Sequence, residues 1–296
     1  MNALLLVDKP GGMTSHDVVA RVRRATGEKS VGHLGTLDPM ATGLLPLLLG
    51  KWTRLAKFYG ALAKTYTGVI RFGFATDTFD AEGQPAGTLV APSVTLASMR
   101  AMAATFLGES EQMPPAYSAK KIGGKPAYAI ARAGETPALR PARITVDEFV
   151  IESVEPLPDG TVDAIFLLRI SAGGYVRSVA HAMGQQAGCG AHLAALRRVT
   201  AGPLRLEDAF TLAEIEARAA AGTLELKLCH PRLLLPQIPN VTADASTLER
   251  IRHGNAVALP EFSDAPVVKV FAGQQQLAAV VDRVAGVLFQ PSIVLL

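Results

Sequence analysis

Cysteine is almost absent. Cys189 and Cys229 are the two in 296 residues, too few for a disulfide framework or a thiolate metal cluster. Apolar runs are short: Leu44–Leu49 is broken by Pro46 and Ala164–Leu168 is shorter still, against about 20 residues for a bilayer span. The amino terminus has no basic region followed by a long apolar stretch, so no secretory signal is expected. These lacks point to a reduced, intracellular protein, with the cytoplasm as default. Charged residues make up only 19%, yet 49% are hydrophobic, which excludes intrinsic disorder. Glycine (27) and proline (19) are too scarce for a fibrous or low-complexity chain. The length allows one large domain plus a small one, or two medium domains.

The net charge of +3 is too mild to name a polyanionic partner. Its distribution says more. Met1–Gly60 carries eight Lys/Arg against four acids, and Met113–Thr145 six against Glu135 alone, whereas Asp147–Asp163 holds six acids and no base. Clustered cations suit a phosphate backbone. Ordinary solvated faces explain charge of this kind equally simply, and on charge alone that reading is preferred.

Ala3–Val7 reads as a buried strand ended by the turn-forming run Asp8-Lys9-Pro10-Gly11-Gly12. Ser15 stands where a helix N-cap would, with Val18, Val19 and Val22 at helical spacing and Gly27 as a stop. Val31–Gly43 reads as a long loop and Leu44–Leu49 as a buried element of either type. Lys64–Phe74, Ile144–Val154 and Val162–Ile170 are strand-like; Ser93–Leu107 and Val176–Ala187 are helical; Thr76–Gly83 is a polar turn. Met113–Arg143, with Pro114-Pro115 and Gly123-Gly124, reads as a basic excursion from the core. Strands and helices mix without a repeating unit, which gives an α+β class. Pro236 and Pro239 bracket a boundary near Leu235–Val241. Beyond it Ser246 and Glu249 have capping-box spacing, Gly254 suits a helix end, and Val267–Phe271, Leu277–Val281 and Gly286–Phe289 form a small β-rich unit.

The stretch most informative about chemistry is Gly32-His33-Leu34-Gly35-Thr36-Leu37-Asp38-Pro39-Met40-Ala41-Thr42-Gly43. One carboxylate lies in a glycine-rich loop with a histidine five residues before it. Asp before Pro is also a natural helix start, and on spacing alone that structural reading wins. No P-loop, no nucleophilic Ser or Cys motif and no metal-ligand spacing of histidines is present. Chemistry here calls for a carboxylate and no cofactor.

The stretch resembles the catalytic aspartate motif of the bacterial-type tRNA pseudouridine-55 synthases, the TruB family. Further blocks follow in family order. Val7-Asp8-Lys9-Pro10-Gly11-Gly12-Met13-Thr14-Ser15 resembles the amino-terminal Lys-Pro motif, and Lys64-Thr65-Tyr66 the active-site tyrosine strand, followed by Thr76-Asp77-Thr78-Phe79-Asp80. Pro114-Pro115-Ala116-Tyr117-Ser118-Ala119-Lys120-Lys121 resembles the start of the RNA-gripping insertion, and Gly174-Tyr175-Val176-Arg177-Ser178 the arginine motif. Gly188-Cys189-Gly190-Ala191-His192 and Leu196-Arg197-Arg198 complete the series. Two places depart from it: Ala182-Met183-Gly184 stands where Asp, Leu or Ile, and Gly are usual, and Gly174 where Thr is common.

The resemblance implies a pseudouridine-synthase-like mixed sheet core with flanking helices (residues 1–237, with an RNA-binding insertion at 113–143) and a PUA-like β-rich domain at 238–296. It implies isomerisation of a T-loop uridine of tRNA, with no redox partner, metal or other cofactor. Asp38 takes the catalytic carboxylate role, Arg177 pairs with it, and Tyr66 assists removal of the C5 proton. His33 contacts RNA near the vacated position. Lys9 and Pro10 support the Asp38 loop, Leu196 packs beside the site and Tyr175 braces Arg177. The expected partner is the T arm of tRNA, with no membrane and no obligate protein partner.

Overall fold

The computed structural model describes residues 1–118, 120–224, 228–261 and 263–296; Ala119, inside the basic motif quoted above, lies outside them. Along the chain run β1 (Ala3–Lys9), α1 (Ser15–Thr26), β2 (Val31–His33), β3 (Thr42–Leu49), a 3-10 helix (Gly50–Phe58), β4 (Lys64–Phe72), the short pair β5 (Ala75–Thr76) and β6 (Pro85–Ala86), α2 (Leu96–Ala104) and β7 (Gly108–Gln112). An excursion follows with β8 (Lys121–Ile122), β9 (Lys125–Pro126) and α3 (Ala127–Arg132). Then come β10 (Ala142–Pro156), β11 (Val162–Ile170), α4 (Val176–Gln186), β12 (Ala191–Ala201), β13 (Leu204–Arg205), β14 (Phe210–Thr211) and α5 (Leu212–Ala220). The last stretch holds β15 (Asn240–Ala243), α6 (Ala245–Arg252), β16 (Val257–Ala258), β17 (Val267–Ala272), β18 (Gln276–Ala285) and β19 (Leu288–Val294).

A ten-stranded sheet has the order β14-β1-β3-β12-β4-β11-β10-β7, with β2 beside β3 and β13 beside β12. The β1–β14 and β3–β12 pairs are parallel, while β12–β4–β11–β10 is antiparallel. The sheet is therefore mixed, and strands and helices follow no repeating βα unit along the chain. Strict alternation along β11 turns Val162, Ala164, Phe166, Leu168 and Ile170 inward, and one fully buried Phe contributes about 2–3 kcal/mol. The continuous apolar run of β3 is explained by burial on both faces. Leu45, Leu47 and Leu49 meet Val18, Val19 and Val22 of α1, while Leu48 joins Trp52 and Leu55 of the 3-10 helix.

A second, five-stranded sheet has the order β15-β17-β18-β19-β16. It packs on the 3-10 helix, where Trp52, Leu55 and Tyr59 share a core with Leu235, Phe271 and Ile293. Arg54 Nη1 of that helix donates to Val294 O at 2.6 Å, so a polar contact also ties the helix to the second sheet.

Several local expectations change. The helix cap is Thr14, in a reciprocal capping box with Asp17; Ser15 is the first helical residue and is buried. The supposed loop Val31–Gly43 contains β2 and the start of β3, which pair in register from Val31↔Leu49 to His33↔Leu47. Asp8 and Lys9 end the first strand rather than starting the turn. No helix follows Asp38-Pro39, so the helix-start reading of that pair fails. Asp244, not Ser246, caps α6 by accepting from Thr247 N, and Gly286 lies in the turn before β19.

At Gly43 the backbone conformation and a close approach together demand glycine. Its φ is +95°, and a Cβ there would sit 2.4 Å from Arg198 O on the neighbouring strand. Gly43→Ala is expected to cost about 2–4 kcal/mol, read as a lowered denaturation midpoint; a midpoint unchanged from the parent would contradict this close approach of β3 and β12.

Candidate active site

Asp38 lies in the segment joining β2 to β3, and three side chains fix that segment from beneath. Ser15 Oγ donates to Leu37 O at 3.1 Å and accepts from Leu37 N at 2.9 Å. Lys9 is fully buried, and its ammonium donates to Pro10 O (2.9 Å), Pro39 O (3.1 Å) and Ala41 O (2.6 Å). Arg198, 1% exposed, donates from Nε to Leu44 O at 2.7 Å and from Nη2 to Gly35 O at 3.0 Å. Two buried cations thus read backbone carbonyls on both sides of Asp38. The carboxylate is held in place before any substrate arrives.

Arg177, at the start of α4 and 5% exposed, is the partner. Its Nη2 donates to Asp38 Oδ1 at 3.1 Å, and its Nε lies 2.9 Å from Oδ2, out of line for a hydrogen bond, so that contact is ionic. The guanidinium also donates to Thr78 O (3.1 Å) and Tyr117 O (2.8 Å), and Nη1 lies 3.3 Å from Asp80 Oδ2. Arg177 is therefore a buried hub, not a surface residue at a helix start. Burial pushes the Asp38 carboxyl above its usual range; Arg177 opposes this and Asp80 adds to it.

Asp38 forms part of the wall of two cavities. One, of about 250 Å³, is lined by Tyr66, Tyr175, Leu196, Lys64 and Arg198. Tyr66 sits on β4 opposite Leu168 and Arg198. The other, of about 500 Å³, is lined by His16, His33, Glu82, Tyr117, Tyr128 and Arg132. The Asp38 side chain remains one-third open, so it is not sealed beneath apolar groups. The imidazole of His33 has a buried, unpartnered Nδ1, and burial together with the Arg198 charge pulls its pKa down. It faces the larger cavity as a neutral ring. Among the described residues no three His, Cys, Asp or Glu side chains converge to hold a metal ion.

The structure brings Asp38, Arg177, Tyr66, Tyr175 and Leu196 together, with His33 on the far side of Asp38. Lys9 and Pro10 line neither cavity; Lys9 acts through the loop it clamps. Three residues carried no assigned role in the sequence. Asp80, 3% exposed, is held by Thr78 Oγ1 at 2.6 Å and balances Arg177 from the side opposite Asp38. Arg198 and Lys64 complete the smaller cavity. The signals were the Thr76–Asp80 block and the second arginine after Leu196, both present as motif letters without a stated purpose.

Burial lowers the pKa of Lys9 to about 8. Above that pH the side chain loses a donor and releases one carbonyl of the Asp38 loop. Between about 8 and the ordinary 10.5 the unfolded chain still binds the proton that the folded chain has lost, so this group makes folding more favourable as pH rises. Activity is expected to fall across an alkaline limb near pH 8 without a matching loss of stability, and Lys9→Met should be slow and lack that limb. A limb that persists in the variant would assign it to another group.

Comparison with known proteins defines the class. The family model "TruB family pseudouridylate synthase (N terminal domain)" matches residues 23–176, and "tRNA pseudouridylate synthase B C-terminal domain" matches residues 177–236. The protein is a pseudouridylate synthase by class. The relatives narrow it. The chain is 40% identical over 298 residues to a "tRNA pseudouridine synthase B" of Solibacter usitatus, with 100% of both covered, and 48% identical over 217 residues to one of Opitutus terrae, covering 73% of this chain and 88% of the relative. The chain belongs to the TruB family. The fold matches "Crystal Structure of a Cbf5-Nop10-Gar1 Complex" with a TM-score of 0.72 at 23% identity, covering 99% of this chain and 84% of that one. Among the described residues no helix is long and apolar enough to cross a membrane.

Proposed function

We propose that this enzyme isomerises the T-loop uridine at position 55 of tRNA to pseudouridine, with Asp38 as the catalytic carboxylate. The observation that carries the reading is the carboxylate of Asp38, gripped by Arg177 and open to a cavity of about 250 Å³ that also holds Tyr66. A single flipped nucleoside suits a cavity of that size, and a base within a folded loop must be flipped to be reached. The N1–C1′ bond breaks, C5 bonds to C1′, N1 gains a proton and C5 loses one. The sum is an isomerisation, with no electron gained or lost overall.

Asp38 acts in the ionised form, whether it attacks C1′ or assists glycal formation. Arg177 keeps it ionised and aimed. Tyr66 takes part in moving the C5 proton, Leu196 and Tyr175 wall the base, and His33 contacts the RNA beside the emptied position. Residues 1–237 form the catalytic domain, 113–143 its RNA-binding insertion and 238–296 a PUA-like accessory domain. The T arm of tRNA is the partner, and the chain works in the cytoplasm without an obligate protein subunit.

The test is tritium release from tRNA labelled at uridine C5, with mapping of the modified site, using purified protein and bare transcript. Release that survives mutation of the T loop would move the target elsewhere. Binding without release, even by the wild type, would make the protein an RNA-folding factor on a synthase scaffold. Tyr66→Phe should slow release by about 10²-fold or more; an unchanged rate excludes the phenol from proton transfer.

A further inference from the structure

The excursion between β7 and β10 is rooted where Gln112, the last residue of β7, pairs with Ala142, the first of β10. From this root the Gln112 side chain reaches across to the backbone before α4. Its Nε2 donates to Tyr175 O at 3.1 Å, and Tyr175 N donates to its Oε1 at 2.7 Å. Tyr175 is the cap position of α4, is extended (φ −110°, ψ 114°) and makes no cap hydrogen bond with its own side chain. One amide therefore does for Tyr175 what a neighbouring strand would do, fixing the peptide planes on both sides of it. Further ties run between the same two segments: Ser178 Oγ donates to Met113 O at 2.9 Å, and Arg177 Nη2 to Tyr117 O at 2.8 Å.

We infer that Gln112 is a positioning residue for the isomerisation, setting Tyr175 against the target base and Arg177 against Asp38 by clamping the root of the insertion to the first turn of α4. The inference rests on the isomerase reading above. Only Val176 separates Tyr175 from Arg177, so a shift of the Tyr175 backbone is passed to a guanidinium that must meet Asp38, Asp80, Thr78 O and Tyr117 O together. A displacement of about 1 Å in such a device costs about 10²-fold in rate. The amide satisfies Tyr175 N and O in one orientation only, oxygen toward N–H and nitrogen toward C=O. Glutamate at 112 would keep the acceptor for Tyr175 N but set a carboxylate oxygen against Tyr175 O.

The experiment uses the full chain with Gln112→Met, which keeps length and packing while losing both hydrogen bonds, and Gln112→Glu. Single-turnover tritium release, tRNA binding and thermal melting are measured on each. The expected result is a rate constant lowered about 10- to 100-fold, tRNA affinity within about threefold and a melting temperature close to that of the parent. The acid limb of the rate should also move to higher pH, as a looser Arg177 leaves the Asp38 carboxyl less supported. A rate within threefold of wild type in both variants overturns the inference. So does a loss shared equally by rate, RNA affinity and stability, which would make Gln112 a staple of the fold. An inactive wild type overturns the isomerase reading along with it, whereas an active wild type beside undiminished variants overturns this inference alone.

Discussion

Asn in place of Asp38 is expected to lower tritium release at least about 10⁴-fold, the scale seen when a catalytic group that acts as part of a unit is removed, while tRNA affinity stays within about threefold. The substitution is nearly isosteric, and nothing that shapes the loop depends on the lost charge. Ser15 holds Leu37, Lys9 holds Pro39 and Ala41, and Arg198 holds Gly35 and Leu44, all through backbone atoms. The amide can neither attack an electron-poor carbon nor stabilise it as an anion. Stability should move little, for a reason of sign. The folded state raises the Asp38 pKa above its ordinary 3.8, so the protonated form is favoured by folding and the ionised form is a cost at neutral pH. A neutral side chain removes that cost while Arg177 keeps Asp80, Thr78 O and Tyr117 O. Normal turnover by this variant would remove Asp38 from the chemistry.

What could be read in the sequence, and what could not, divides along physical lines. β4, β11 and α4 declare themselves, because long elements buried on one face repeat their pattern several times. β2 does not: Val31-Gly32-His33 is too short to show alternation, and its glycine reads as loop. Ser15 and Thr14 are both competent caps for α1, one residue apart. The Thr14-x-x-Asp17 spacing favours Thr14, and Ser15 turns out to serve Leu37 instead. Arg198 is harder still, and Lys9 is reached only through the family resemblance. Buried cations are unexpected from composition, and the carbonyls that justify them come from residues 10 to 44, a shape invisible to any local pattern. Asp80 lay hidden in a segment that reads as a polar turn. Its carboxylate does serve the turn, accepting from Thr78 Oγ1 and Glu82 N, and the same group faces Arg177. The turn contacts and the ion pair with Arg177 coincide on one side chain, and sequence shows only the first.

Arg177→Met is expected to abolish release and also to destabilise the fold, with a pH dependence that identifies the cause. Without the guanidinium, Asp38 and Asp80 approach a common space with no counter-ion and with Lys9 committed to carbonyls. Breaking a buried ion pair from one side costs about 3–5 kcal/mol, trimmed to about 2–4 because Asp38 is partly open to solvent. Burial and the nearby Asp80 charge, no longer opposed by Arg177, then raise the folded-state pKa of Asp38 further above its ordinary value, so that Asp38 takes up a proton. The folded variant binds that proton where the unfolded chain does not, so its stability falls as pH rises above the ordinary value and recovers on acidification. Melting temperatures of variant and parent should therefore diverge at neutral pH and converge toward pH 4. Arg177→Lys separates charge from geometry. It keeps a cation but cannot bridge acceptors on Asp38, Asp80, Thr78 and Tyr117 at once, so much of the stability should return while the rate stays about 10²- to 10³-fold down. If lysine restored both, charge alone would account for Arg177, and the fourfold bridge would be incidental to catalysis.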